Sequence, residues 1–257
     1  ESHRGLCVSS ATMKYIFLRD PLAGCAMLWA CRKEKMKENA NEGARRTMDA
    51  MARDYGTDKG GQYHGYAAQY ERALEPLRKD GVRVVVEIGV CRAWDGNRHI
   101  CPSLAMWREW SGRDDCEVLG LDKCEFGVRA DGIRTEVCDQ GNAEALKQAR
   151  FLILEEYGAA DLIVDDGSHI AAHQQQTMKA LWPVLRVGGA YVIEDLNYNP
   201  EGEKKSRRVR GCVEAWQAGT KPEWLVDLRR EMKSVDKIEW VDSAVAGKRS
   251  AVVLWKA

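Results

Sequence analysis

No apolar run in this 257-residue chain approaches the length that crosses a bilayer. The nearest, PLAGCAMLWAC at 21–31, is short and flanked by Arg19, Asp20, Arg32 and Lys33. A signal peptide places its positive charge ahead of the apolar stretch with no acid beside it, so this stretch is expected to be an amphipathic helix packed on the domain or on a second subunit. Charge of one sign is not in excess: Lys plus Arg and Asp plus Glu each number 39. That balance removes the electrostatic signature of a nucleic-acid or acidic-membrane binder and leaves a small molecule as the expected partner. Nine cysteines are present, an odd number, without a CxxC pair or zinc-ligand spacing. The pattern argues against a disulfide framework and for reduced thiols in a cytoplasmic protein. There is no internal repeat and no low-complexity tract.

The chain opens with ESHRGLCVSSAT, which reads as a tag remnant or a disordered leader, and then with charged, helix-forming residues to about 53. We take 1–53 as a leader and helical extension, and 54–257 as the main domain. Within the latter, YGTDKGGQYHGYAAQY at 55–70 is polar, glycine-bearing and aromatic. It suits a lid that brings Thr57, Asp58, Lys59, His64 and Tyr66 over a ligand, or a helix start capped by Thr57 or Asp58. Buried strands are then expected at 83–89, 116–122, 132–139, 161–166 and 189–196, with helices at 103–110, 142–157 and 173–186, the last stopped by Gly188 and Gly189. Strand and helix in alternation predict an α/β, doubly wound, mostly parallel sheet. The charged segment 199–210 looks mobile, a helix is expected near 222–232, and strands at 237–242 and 250–255 are close enough to form an antiparallel hairpin at the sheet edge. Nine tryptophans, several near the ends of these helices, are expected in the core or an interface.

The chemistry concentrates in DLIVDDGSH at 161–169 and YVIEDL at 191–196. Each is an apolar run ending in acids, as for a buried strand that delivers carboxylates to the carboxyl edge of such a sheet. If the two strands are neighbours, Asp165, Asp166, His169, Glu194 and Asp195 converge there. Carboxylates that close repel and raise one another's pKa unless a cation lies among them; Mg²⁺, a hard ion that keeps positions open for substrate oxygens, is the simplest answer. The alternative is that some of these acids cap the helices that follow. At the switch point beside the first strand, Glu87 and Gly89 end that strand and Asp122 ends the next. A carboxylate at the tip of the second strand can accept both hydroxyls of a ribose, yet GxGxxG, the usual phosphate cradle, is missing. S-adenosylmethionine, a nucleoside ligand without phosphates, explains both features. Glu87 then faces its amino-acid side, and Asp139 and Gln140 its adenine edge.

The succession YGTDK, HxY, VEIGV, SLAMW, GLD, CDQGN, DLIVDDGSH and LWPVLRVGGAYVIEDL resembles the magnesium-dependent class I methyltransferases that act on sugar hydroxyls of macrolide antibiotics, and cephalosporin-hydroxylase-like proteins share these motifs. The resemblance covers roughly Asp54 to Leu196. It implies a Rossmann-like class I methyltransferase sheet, Asp166, Glu194 and Asp195 as Mg²⁺ ligands, and His169 as general base working with Asp166. It also places Thr57, Glu87, Gly89, Ser103, Asp122, Asp139, Gln140 and Asp165 around S-adenosylmethionine. The turn after Gly89 departs from the pattern with Cys91, Arg92 and an insertion at 93–102. The function implied is O-methylation of a sugar or another vicinal diol in natural-product biosynthesis. Two further readings stay open: a metal-dependent hydroxylase on the same fold, and a cofactor-binding scaffold or partner subunit without catalysis. His173 reads as structural, and a homo-oligomer is plausible.

Overall fold

The structure is a computed structural model that describes residues 45–61, 63–90, 101–130, 132–198 and 201–257. The expected helix at 21–31, most of the leader and residues 93–100 of the insertion lie outside the described residues. Eight strands among these residues form one sheet: β1 (Val84–Ile88), β2 (Glu117–Asp122), β3 (Arg129–Ala130), β4 (Ile133–Val137), β5 (Ala160–Asp165), β6 (Leu185–Ile193), β7 (Val235–Ser243) and β8 (Gly247–Lys256), in the order β3-β4-β2-β1-β5-β6-β8-β7. Strands β4, β2, β1, β5 and β6 are parallel. The two-residue β3 pairs antiparallel with β4, and β8 is antiparallel to both β6 and β7. The C-terminal hairpin therefore forms as expected, with its second strand inserted between β6 and the edge.

Side-chain alternation along the strands builds two cores, one on each face. Val85, Val118, Leu162, Val164, Val192 and Val253 face one side, against α1 (Met48–Tyr55), α2 (Ala67–Ala73), α3 (Glu75–Asp80) and α4 (Pro102–Ser111). Val86, Leu119, Ile163, Tyr191, Ile193 and Leu254 face the other, against α5 (Ala143–Tyr157), α6 (Ala171–Leu181), α7 (Val209–Gln217) and α8 (Arg229–Lys233). Helix α1 buries Met48, Met51, Ala52 and Tyr55 in the first core. The side chain of Asn142 starts α5 by accepting from the amides of Glu144 and Ala145, satisfying donors that a helix start leaves unpaired.

Three expectations need correction. Helix α6 ends at Leu181, followed by a 3₁₀ turn at Trp182–Val184, because Pro183 supplies no amide; β6 already begins at Leu185, ahead of the two glycines. Neither Thr57 nor Asp58 caps a helix: α2 starts at Ala67 after Tyr66, with no side-chain cap. The segment toward Arg210 is tied down rather than loose. Glu203 accepts from the Ala171 amide at the start of α6, and Arg210 donates to Asn197 and to the Lys248 carbonyl. Helix α7 follows, an element the sequence reading did not anticipate, whereas only α8 forms in the 222–232 region.

Candidate active site

Parallel register carries the ladder right up to the acids. Ile88 lies opposite Asp165, and Asp165 opposite Ile193. The Asp166 amide donates to the Ile88 carbonyl (2.8 Å) and the Glu194 amide to the Asp165 carbonyl (3.0 Å), so the two acidic turns sit side by side. Beside them the backbone at Gly89 runs close against the Asp166 turn. Its φ is 85°, and a Cβ there would lie 2.1 Å from the Asp166 carbonyl oxygen, so only glycine fits.

The turn between α1 and α2 folds over this rim and inserts Lys59, which is 1% exposed. Its Nζ lies 2.6 Å from Asp166 Oδ2, 3.0 Å from Glu194 Oε2 and 3.4 Å from Glu87 Oε1. Three acids from three strands thus share one internal ammonium. Burial alone would lower the lysine pKa, but Asp166, Glu194 and Glu87 outweigh it and hold the ammonium charged well above its ordinary range. The sequence had suggested Lys59 as a lid donor to a ligand; the structure uses it as a cation among the acids. Burial pushes the Glu87 carboxyl up to about 7 against the opposing pull of Lys59, with Ser103 and Trp107 beside it. Burial and the Asp166 charge raise Glu194 well above the carboxylate range. The second oxygen of Glu194, Oε1, is buried and makes no close hydrogen bond among the described residues, with the buried Tyr70 hydroxyl near this carboxylate.

Asp166, His169 and Asp195 bring potential metal-ligating atoms within 4.8 Å of one another. His169 Nε2 is 3.5 Å from Asp195 Oδ2, and its ring meets Tyr198 edge-on. Tyr66 donates to Asp195 Oδ1 at 2.8 Å, and His64 stacks on Tyr66. The lid segment therefore does reach the acids. Glu194 stands behind the trio, bound to Lys59 on one side while Gln174 of α6 donates to its backbone carbonyl. Gln174 carried no signal in the sequence, since its role depends on which face of α6 meets the end of β6.

The remaining candidates fall into two groups. Asp122, half-buried at the tip of β2, accepts from the Val90 and Cys124 amides, one on each oxygen (2.9 and 2.8 Å), and a carboxylate retains further acceptor capacity for a diol. Asp139 is exposed beside it, accepting from the Gly141 amide. The others turn inward. Asp165 is fully buried, its carboxyl pushed up to about 7 by burial, and it accepts from Gln140 Nε2 at 2.6 Å. Gln140 in turn accepts from the Ser168 amide and hydroxyl, so the pair shapes the DDGS turn from below. Ser168 also meets His173 Nδ1 at 2.9 Å, which gives His173 the structural role expected of it. Thr57 is buried in its own turn, near the Lys59 amide.

A parallel sheet with a reversed last strand inserted next to its edge, and with acids gathered at its carboxyl rim, defines the class I methyltransferase fold. The solved structure of MycE methyltransferase from the mycinamycin biosynthetic pathway, in complex with Mg and SAH, superposes with a TM-score of 0.64 at 26% identity, over 83% of this chain and 55% of that one. A second, with Mg, SAH and mycinamycin VI, gives 0.66 at 24% identity over 100% and 68%. No family model matches the chain.

Curated relatives carry the likeness to the level of sequence. The chain is similar to the 8-demethyl-8-(2-methoxy-alpha-L-rhamnosyl)-tetracenomycin-C 3'-O-methyltransferase of Streptomyces olivaceus, 36% identical over 152 residues, 58% of this chain and 36% of that protein. It is 33% identical over 181 residues to the L-olivosyl-oleandolide 3-O-methyltransferase of Streptomyces antibioticus (69% and 44%). It is 37% identical over 154 residues to the mycinamicin VI 2''-O-methyltransferase of Micromonospora griseorubida (58% and 36%). The chain spans less than half the length of these relatives. All three are O-methyltransferases, and the first two name a glycosyl group in the substrate.

Proposed function

We propose that this chain carries the catalytic domain of an S-adenosylmethionine- and Mg²⁺-dependent O-methyltransferase that acts on a hydroxyl of a glycoside or another vicinal diol. The observation that carries the reading is the meeting of Asp166, His169 and Asp195 at the carboxyl rim, with the buried Glu194 Oε1, which makes no close hydrogen bond among the described residues, behind them. Such a carboxylate oxygen beside two further acids suits a hard cation, which prefers oxygen donors. Asp166, Glu194 and Asp195 would hold Mg²⁺, leaving the His169 nitrogen for a proton. Asp122, with its spare acceptor capacity, would hold the cofactor ribose, and the domain takes in 54–257 together with α1.

Bound Mg²⁺ would supply acidity and orientation to adjacent substrate hydroxyls, and the cofactor sulfonium would supply the methyl group. A sugar hydroxyl is far too weak an acid to ionise unaided near neutrality, so a base has to take its proton as the methyl arrives. His169 is that base. The Asp195 carboxylate, 3.5 Å from its Nε2, stabilises the imidazolium that forms, while Tyr66 donates to the other oxygen of Asp195. Lys59 and Tyr66 reach over the acids and leave Asp166 and Asp195 only partly exposed. Asn197, two residues beyond Asp195, borders a cavity of about 560 Å³ with Lys205, Arg208 and Arg210, which is our candidate for the acceptor determinants.

The test pairs turnover with ion binding. With S-adenosylmethionine, Mg²⁺ and a panel of glycosides, His169→Ala is expected to lose turnover by about 10²–10⁴-fold while calorimetric Mn²⁺ affinity changes little. Asp166→Ala is expected to lose both. Full turnover by either variant overturns the assignment, and loss of Mn²⁺ affinity in His169→Ala makes that residue a ligand instead of the base.

A further inference from the structure

Lys59 is not accounted for by that reaction. Its ammonium has three N–H donors and meets three carboxylates, Asp166, Glu194 and Glu87, at 2.6, 3.0 and 3.4 Å. With two donors hydrogen-bonded to Asp166 and Glu194, Glu87 close by and 1% exposure, it is placed neither to bind an acceptor nor to move a proton to one. Its position is fixed from both sides: the Thr57 amide donates to the Ala52 carbonyl of α1, and the Ala67 amide of α2 donates to the Lys59 carbonyl. The fold thus delivers one fixed charge into the rim from a segment outside the sheet.

We propose that Lys59 is a positioning residue that sets the cation selectivity of the rim, occupying one oxygen of Asp166 and one of Glu194 so that each acid has a single oxygen left for a divalent ion. The inference rests on the ion site proposed above. Ca²⁺ takes six to eight oxygens and readily accepts bidentate carboxylates, whereas Mg²⁺ wants near-octahedral, single-oxygen contacts and keeps several waters. A rim whose acids are each half-occupied by an ammonium favours the smaller ion. Freed of the lysine, both acids can turn two oxygens to one ion, and the preference moves toward Ca²⁺.

Calorimetric titration of the full chain with Mg²⁺ and, separately, Ca²⁺ tests this. For Lys59→Met, loss of a repelling charge and release of one oxygen on each acid are expected to leave Mg²⁺ affinity unchanged or raised, and to raise Ca²⁺ affinity more. The Mg²⁺-to-Ca²⁺ ratio is expected to drop by about an order of magnitude, the scale on which groups around metal ligands act. Lys59→Gln, which keeps an N–H donor but no charge, is expected to fall between the two. An unchanged ratio in a folded variant overturns the role of Lys59 while leaving the ion site intact, as does failure of both variants to fold in saturating Mg²⁺, since the lysine would then serve the fold alone. A wild-type chain that binds neither ion overturns the ion site itself.

Discussion

His169 and Asp195, the two residues assigned to proton transfer and its support, both hold left-handed backbone, with φ of 58° and 52°. For residues other than glycine this conformation costs about 1–2 kcal/mol, and it persists where surrounding contacts over-determine it. Here those contacts are the ladder bonds that end at Asp166 and Glu194 and the Tyr66 bond to Asp195. Gly89 meets the same crowding by having no side chain. Gly89→Ala would drive a Cβ into the Asp166 carbonyl in a strained conformation, and we expect about 3 kcal/mol or more of destabilisation, read as a fall of roughly 6–12 °C in Tm. Cysteine chemistry is decided at the same scale. Burial pushes the Cys138 thiol up to about 11 and the Cys212 thiol up to about 12, while Cys124 alone among the described cysteines is exposed. At pH 8 both buried thiols are protonated and unreactive, and they stay so until the pH rises through those values. Iodoacetamide is therefore expected to modify Cys124 at least about tenfold faster than Cys101, Cys116, Cys138 or Cys212, as peptide mapping would show.

At the scale of elements, α6 does more than cover a sheet face. Gln174 holds the Glu194 carbonyl, and the fully buried Gln175 spans the gap to the C-terminal third, donating to the Arg207 carbonyl and accepting from the Leu225 and Val226 amides. Gln175→Leu would leave a carbonyl and two amides without their partner at a cost of about 2–4 kcal/mol. A fall of roughly 5–10 °C in Tm is expected, with Mn²⁺ affinity unchanged because the rim is untouched. These elements also mark what periodicity can report. Strands β1, β2, β5 and β6 were legible as apolar runs because both faces are buried. Helix α7 was not, because its N-cap and first turn carry Arg208 and Arg210, which read as solvated charge until the fold pairs Arg210 with Asn197. The end of α6 was misplaced for a local reason, since Pro183 stops a helix sooner than a glycine pair five residues on.

Over the whole molecule, α1 packs onto the sheet as part of its first core. Helix α1 buries four residues against the first core, and the turn after it supplies Lys59 to the rim. At about 1.5–3 kcal/mol for each large buried apolar side chain, α1 contributes an amount comparable with the roughly 5–15 kcal/mol by which a domain is stable. A fragment of residues 56–257 is therefore expected to lack the cooperative thermal transition that 45–257 retains, as calorimetry or circular dichroism would show. The sequence by itself determined the α/β alternation and the identity of the acids, because burial on both faces writes continuous apolar strands and each acid follows directly on a strand end. It also suggested a cation among those acids on the condition that their strands are neighbours, since carboxylates brought close raise one another's pKa without one. Only the tertiary structure decided that an internal ammonium meets part of that need, that Asp165 and Gln140 support the DDGS turn from beneath, and that Glu194 stands behind Asp166 and Asp195. Those outcomes depend on Lys59 meeting Asp166 and Glu194 across 107 and 135 residues of chain, and contacts that distant are fixed by strand order and register, which no local pattern records.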